Sequence, residues 1–220
     1  MNIRVVIDVE MCGVNGEYTD YPYKNEIIQI GAVKMDDQFE ILDDFSTFVC
    51  PRYGKITCFI EKLTGITQRD VNDAPDLSVA LKKMRSWIGD CDVIFYAWSG
   101  VDQSQIRKEI IVKKLNEAEM DIFLDKNRWE DYQKTVGDRF KIKKKLNLKE
   151  ALDLTDLDLT GRLHDGLFDS YNTAQLISKL ELHPEFQPVM EKLRIADGME
   201  SPKLSISLGN LLAGIELKSA

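Results

Sequence analysis

Near its N-terminus the chain reads Ile3-Arg4-Val5-Val6-Ile7-Asp8-Val9-Glu10. This short apolar run is rich in β-branched residues, which is typical of a buried central strand. Because side chains alternate along a strand, Asp8 and Glu10 project to the same side, at the carboxyl end where open α/β sheets place their ligands. The pair makes a divalent-cation site possible, although an Asp-x-Glu pattern by itself is common in acidic proteins.

The rest of the chain is organised as strands followed by an alternation of helices and strands. A turn at Asp36-Asp37 predicts a hairpin, and Thr57 and Gly65 are placed to begin and end a short helix. We expect strands at 26–35, 39–49, 92–98 and 128–133, and helices at 76–89, 102–115, 148–154 and 168–182. This order indicates an α/β or α+β layer protein with a mixed central sheet.

Size and charge exclude some classes of protein. The 220 residues suit one large domain or one domain with appendages, and the net charge of −8 argues against a broad basic surface that holds nucleic acid. Carboxylates gathered around cations would offset part of that charge. We find no apolar run long enough to cross a membrane and no signal peptide, so we expect a cytoplasmic protein.

The cysteines and histidines do not form a zinc motif. The four cysteines lack paired spacing, and His164 and His183 lie too far apart for a Cys/His cluster. We therefore expect reduced, mostly structural thiols at Cys12, Cys50, Cys58 and Cys91.

Two later aspartates and one histidine could join the carboxylates of the first strand in one site. Asp102 follows the fourth predicted strand at a helix start, Asp169 lies on the first turn of the last clear helix, and His164 precedes Asp169 by five residues. If the first and fourth strands are neighbours, the carboxylates of Asp8, Glu10 and Asp102 converge. Taken singly, each aspartate could instead be a helix-start residue stabilised by the macrodipole, and the histidine a solvated loop residue.

Together these residues resemble the three motifs of the DEDDh 3′-to-5′ exonucleases. The motifs are Asp8-x-Glu10, then Trp98-Ser99-Gly100-x-Asp102, then His164 before Asp169, and the segments Leu63-Thr64-Gly65-Ile66-Thr67 and Asn172-Thr173-Ala174 also look like theirs. The resemblance implies an α/β fold of the ribonuclease-H-like type, a five-stranded mixed sheet flanked by helices. It divides the chain into an exonuclease domain at 1–183 and a C-terminal extension at 184–220.

Within this family, Glu10-Met11-Cys12 and the segment 25–33 look most like the branch that trims small RNAs and the 3′ ends of structured RNAs. The chain departs from the pattern in lacking the threonine that usually follows the first-motif glutamate. Gly166 stands where many members have alanine or another small residue, and Asp165 excludes the subclass that uses tyrosine there.

The resemblance also implies roles for the motif residues. Asp8, Glu10, Asp102 and Asp169 would hold two Mg²⁺ ions, for which Mn²⁺ may substitute, since oxygen-only ligation favours these metals. Asp8 would bridge both ions, Glu10 and Asp169 would hold the nucleophile-side ion, and Asp102 would act mainly through water. His164 would take the proton from the attacking water.

The expected substrate contacts lie in three places. Glu10, Met11 and Cys12 would face the terminal nucleoside, Phe59, Ile60 and Leu63 would pack on its base, and Lys143 and Lys144 in the run 141–145 would contact the backbone. The apolar residues could instead be core, and the lysines a solvated loop.

The resulting hypothesis is a metal-dependent exonuclease that acts on single-stranded 3′ ends, with RNA as the expected substrate, and releases nucleoside 5′-monophosphates. Its partners would be single-stranded RNA or DNA 3′ ends. One alternative is a single-strand DNA or proofreading exonuclease. Another is a catalytically silent nucleic-acid-binding module, against which the presence of all five motif residues argues.

Overall fold

A five-stranded mixed sheet in the order β3-β2-β1-β4-β5 organises the computed structural model, which describes residues 2–14 and 21–182. The first three strands pair antiparallel, whereas β4 and β5 continue the sheet in parallel with β1. The strands are β1 (Asn2–Gly13), β2 (Asn25–Met35), β3 (Ile41–Phe48), β4 (Asp92–Ala97) and β5 (Trp129–Asp131).

Eight α-helices are described in residues 2–14 and 21–182. They are α1 (Cys58–Thr64), α2 (Gln68–Asn72), α3 (Leu77–Ile88), α4 (Gly100–Val112), α5 (Asp121–Leu124), α6 (Tyr132–Phe140), α7 (Leu148–Leu154) and α8 (Gly166–Leu182). None of these helices combines the length and hydropathy of a membrane span.

Strand β1 is the buried centre of the sheet, as its sequence predicts. Val5 and Ile7 pack into one core with apolar residues of α3, α4 and α5, while Val6 faces the opposite core formed by α6, α7 and α8. Burial on both faces explains why the run is almost continuously apolar. The predicted ribonuclease-H-like α/β class is confirmed.

Capping residues explain why the ends of α1 and α3 could be predicted from the sequence. The Thr57 side chain accepts a hydrogen bond from the Ile60 amide, and Gly65 ends α1 in the left-handed conformation at φ 76°. Asp76 caps α3 by accepting from the Val79 amide. Such caps satisfy backbone groups that the helix itself leaves unpaired.

The segment after β4 differs from its prediction. The strand expected at 128–133 spans only three residues, because Asp131 accepts a hydrogen bond from the Lys134 amide and so begins α6 at Tyr132. Helices α2 and α5 were not predicted from the sequence. The expectations for His183 and for the extension at 184–220 lie outside the described residues, so that domain boundary stays a prediction.

Candidate active site

Four carboxylates meet beside β1, just beyond the part of that strand that pairs with β4, where α4 and α8 begin. The neighbouring strands β1 and β4 run parallel, so the chain leaving β4 brings Asp102, in the first turn of α4, beside β1. Oδ1 of Asp102 accepts a hydrogen bond from the Val9 amide over 3.2 Å. Asp169 enters from the first turn of α8.

Glu10, His164 and Asp169 form a group with metal-ligand spacing. One ligand atom from each lies within 4.8 Å of the others. Oδ2 of Asp169 accepts from the His164 backbone amide over 2.8 Å, but its Oδ1 is buried with no hydrogen-bond partner among residues 2–14 and 21–182. A buried oxygen without a donor is costly, so a bound cation would give it the interaction that the described residues do not supply.

The electrostatics of the four carboxylates favour a cation. Burial raises the pKa of Asp8 well above its usual range, and the charges of Asp102 and Glu10 raise it further. Burial, together with the charge of Asp169, raises the pKa of Glu10 to about 7. Burial likewise raises the pKa of Asp102 to about 7 and the pKa of Asp169 above its ordinary value. Such mutual repulsion is relieved by divalent ions, and the all-carboxylate donor set fits Mg²⁺ or Mn²⁺.

His164 lies in an exposed loop whose backbone is tightly constrained. It adopts a left-handed conformation at φ 61°, which is uncommon for a residue other than glycine. Its amide is held by Asp169, and Asp165 caps the start of α8 by accepting from the Leu167 amide over 3.0 Å. The imidazole is therefore presented from a fixed backbone while remaining accessible to solvent.

Gln29 and Gly31, for which the sequence suggested no separate role, position the start of α8 at Gly166. Oε1 of Gln29 accepts from the Gly166 amide at 3.0 Å, and its Nε2 donates to Asp165 Oδ1 at 3.3 Å. A Cβ on Gly31 would lie 2.0 Å from the Gly166 carbonyl carbon, so the helix start lies directly on the sheet. A polar residue followed closely by glycine inside an apolar strand was the available sequence signal.

A buried ionic network also lies behind the site. The register of β1 against β2 shifts between Glu10 and Met11, and at this bulge the Ile27 amide donates to Glu109 Oε1 over 2.7 Å. Lys113 bridges Glu109 and Glu26, with N···O distances of 2.7 and 2.5 Å. Glu109 and Lys113, one helical turn apart, were the signal in the sequence that could have indicated this ionic network. The network joins the helix that carries Asp102 to the strand pair that carries Glu10.

The expected substrate residues differ in accessibility. Phe59 is 70% exposed and Leu63 is partly buried, whereas the Cys12 side chain is buried at 1% exposure. Cys12 can therefore face a ligand mainly through its backbone. Arg162 donates to the carbonyls of Lys62 and Leu63 at 2.6 and 3.0 Å, which ties the end of α1 to the His164 loop.

The lysines of the run 141–145 divide into paired and unpaired residues. Lys144 forms an ion pair with Glu150 at 2.6 Å. Lys143 is exposed and makes no ion pair with the part of the chain that the structure describes. Their contact with a substrate backbone stays a prediction.

Comparison with known proteins identifies relatives for most of the chain. The family model described as "Exonuclease" matches residues 5–177. DNA polymerase III PolC-type of Bacillus subtilis is 31% identical over 176 residues, which is 80% of this chain and 11% of that protein. ERI1 exoribonuclease 2 of Xenopus laevis is 28% identical over 201 residues, 80% of this chain and 28% of the relative. The chain thus spans under a third of either relative.

The fold has solved counterparts. The nuclease domain of 3′hExo, described as a DEDDh family member bound to rAMP, superposes with a TM-score of 0.69. It is 25% identical, and the match covers 82% of this chain and 92% of that one.

Proposed function

This chain belongs to the exonuclease family, and from that premise we propose that it is a metal-dependent 3′-to-5′ exonuclease that hydrolyses single-stranded ends, preferentially of RNA, and releases nucleoside 5′-monophosphates. The resemblance to the DEDDh members is confirmed by the relatives and the solved structures. The observation that carries the proposal is the convergence of four carboxylates, with Oδ1 of Asp169 buried and lacking a hydrogen bond among the described residues. We assign the activity to a domain at 1–183, with 184–220 as an extension.

The carboxylates are the proposed cation ligands. Asp8, Glu10, Asp102 and Asp169 would hold two Mg²⁺ ions or their Mn²⁺ substitutes. When bound, such ions supply Lewis acidity to the phosphodiester and lower the pKa of water. The Val9 amide holds Asp102 and the His164 amide holds Asp169, so two of these ligands are oriented by backbone hydrogen bonds.

His164 is the proposed general base. Its ring is exposed, and its backbone lies within hydrogen-bond distance of Asp169, so it can reach a water molecule beside the carboxylates. Taking the proton of that water as the bond to phosphorus forms would leave the imidazole protonated. The leaving group is the 3′-oxygen of the preceding nucleotide.

The terminal nucleoside would lie between α1 and the end of β1. Phe59 and Leu63 offer apolar surface to the base, and Glu10 together with the backbone of Met11 and Cys12 faces the 3′-hydroxyl. Arg162 supports this arrangement because it holds α1 against the His164 loop. Lys143 and Lys144 remain the proposed contacts to the backbone.

RNA preference is supported by the similarity to ERI1 exoribonuclease 2 of Xenopus laevis and Mus musculus. A DNA-directed or proofreading exonuclease is the second candidate, favoured by the similarity to the PolC-type DNA polymerase. Degradation of end-labelled single-stranded RNA and DNA of one sequence, with Mg²⁺, Mn²⁺ or excess chelator, tests both. Faster loss of RNA supports the first candidate, faster loss of DNA the second, and no cleavage of either with metal contradicts both.

A further inference from the structure

We propose that a cleft beside the carboxylates, bordered by Ser104, Lys108 and Lys145, binds the phosphates of the nucleotides that precede the scissile bond. This inference rests on the proposed exonuclease function. It gives that function a second binding region in addition to the one for the terminal nucleoside.

The cleft begins at the catalytic centre. Its volume is about 600 Å³, and Met11, the residue after Glu10, is one of the residues that line it. From there it follows α4 past Val101 and Ser104, which lie on either side of Asp102 in sequence, and reaches Lys108. Arg162 joins α1 to the His164 loop and so closes the site next to α1. A strand whose 3′ end lies at the carboxylates would therefore leave the site along α4.

The cations of this cleft are not neutralised by ion pairs within residues 2–14 and 21–182. Lys145 has no hydrogen bond or ion pair there, and the Lys108 ammonium contacts only the Tyr23 ring, 5.5 Å from its centroid. Asp131 also lines the cleft, but its oxygens accept the Gly100 and Lys134 amides at 3.0 Å each. By contrast, Lys144 of the same lysine run is paired with Glu150.

Lys145 is held in place by its neighbours. Ile142 and Leu146 are buried in the core on either side of it, and the Gln133 side chain donates to the Leu146 carbonyl over 2.6 Å. The backbone that carries Lys145 is therefore held against the core, and its side chain is exposed. Phosphate contacts by lysine side chains supply sequence-independent affinity for a nucleic-acid strand.

The test compares substrates of different length. We would measure KM and kcat of the wild type and of Lys108→Ala/Lys145→Ala with single-stranded RNA of two to ten nucleotides, and with a nucleoside 5′-monophosphate p-nitrophenyl ester. Lys83→Ala/Lys126→Ala is the matched control, since both lysines are exposed and neither lines the cleft. Thermal unfolding verifies that each variant is folded.

For the wild type we expect KM to fall as the strand lengthens. In the cleft variant KM for the longer strands should rise roughly tenfold, and the slope of log KM against log salt should fall by about 1.4, as for two lost phosphate contacts. Its kcat and its activity on the ester should match the wild type. Unchanged length and salt dependence in the cleft variant would overturn the inference, whereas a wild type inactive on every substrate would overturn the proposed function itself.

Discussion

The backbone amide of Val9 donates a hydrogen bond to Oδ1 of Asp102 over 3.2 Å, which links residues 93 positions apart in sequence. Val9 lies between Asp8 and Glu10, so this bond fixes the helix carboxylate relative to both strand carboxylates. The backbone of β1 thus orients the carboxylate of Asp102, while its side chains supply those of Asp8 and Glu10.

Removing one carboxylate of β1 should abolish catalysis without lowering the stability of the metal-free protein. We expect Asp8→Asn to abolish cleavage, while the metal-free protein stays as stable as the wild type or becomes more stable, because repulsion with Asp102 and Glu10 is removed. Thermal unfolding in excess chelator, beside a cleavage assay with Mg²⁺, measures both effects. A large fall in the melting temperature of the metal-free variant would mean that Asp8 is a structural residue.

The free energy of unfolding of the metal-free protein should fall as the pH rises. Glu10 and Asp102 have pKa values of about 7 in the folded chain, above their ordinary values of 4.5 and 3.8. Between those limits the folded state binds more protons than the unfolded state, so the free energy of unfolding falls as pH rises from about 4 to 7. Urea titrations with chelator measure this slope. Glu10→Gln should flatten it, and an unchanged slope in that variant would contradict the origin we assign.

Loss of the imidazole should slow turnover without loss of binding. We expect His164→Ala to lower kcat by roughly 10²- to 10⁴-fold with little change in substrate affinity, as for a general base. His183→Ala is the control, because it lies outside every motif. Equal losses for both variants in single-turnover assays would remove the basis for assigning His164.

One added methyl group should disturb the junction of sheet and helix. In Gly31→Ala the new Cβ would meet the Gly166 backbone at 2.0 Å, so α8 must shift and carry Asp169 with it. We expect a destabilisation of roughly 1–3 kcal/mol by urea unfolding, and a larger fractional loss of activity. Gly13→Ala is the matched control, since a Cβ there meets nothing within 4 Å. Wild-type activity in Gly31→Ala would show that this contact does not position Asp169.

The polarity of attack follows from the proposed binding mode. A 5′-labelled oligonucleotide should give a descending ladder, and a 3′-phosphate should protect the strand because it adds charge where the terminal hydroxyl meets Glu10. Gel analysis of both substrates tests this. Immediate release of the labelled mononucleotide would indicate 5′-to-3′ attack and contradict the proposal.

Local patterns in the sequence determined the central strand, the caps of α1 and α3, and the identity of the motif residues. The apolar run that ends in Asp8 and Glu10 indicates a buried strand because alternation and burial act over neighbouring residues. Thr57 and Gly65 could be recognised because a cap satisfies backbone groups only a few positions away.

Only the tertiary structure decided how these residues meet. The pairing of β1 with β4 is one example, because no local pattern specifies the order of strands in a sheet. Two hydrogen bonds are further examples: Ile27 to Glu109 joins residues 82 positions apart, and Gly166 to Gln29 joins residues 137 positions apart. Helix α6 was missed although Tyr132, Val136 and Phe140 recur at helical spacing. Gly137 lowers the helix propensity of this segment, and the burial of those three residues against other elements stabilises the helix. Local hydrogen bonding and periodicity therefore specified the elements, and long-range packing decided which functional groups they bring together.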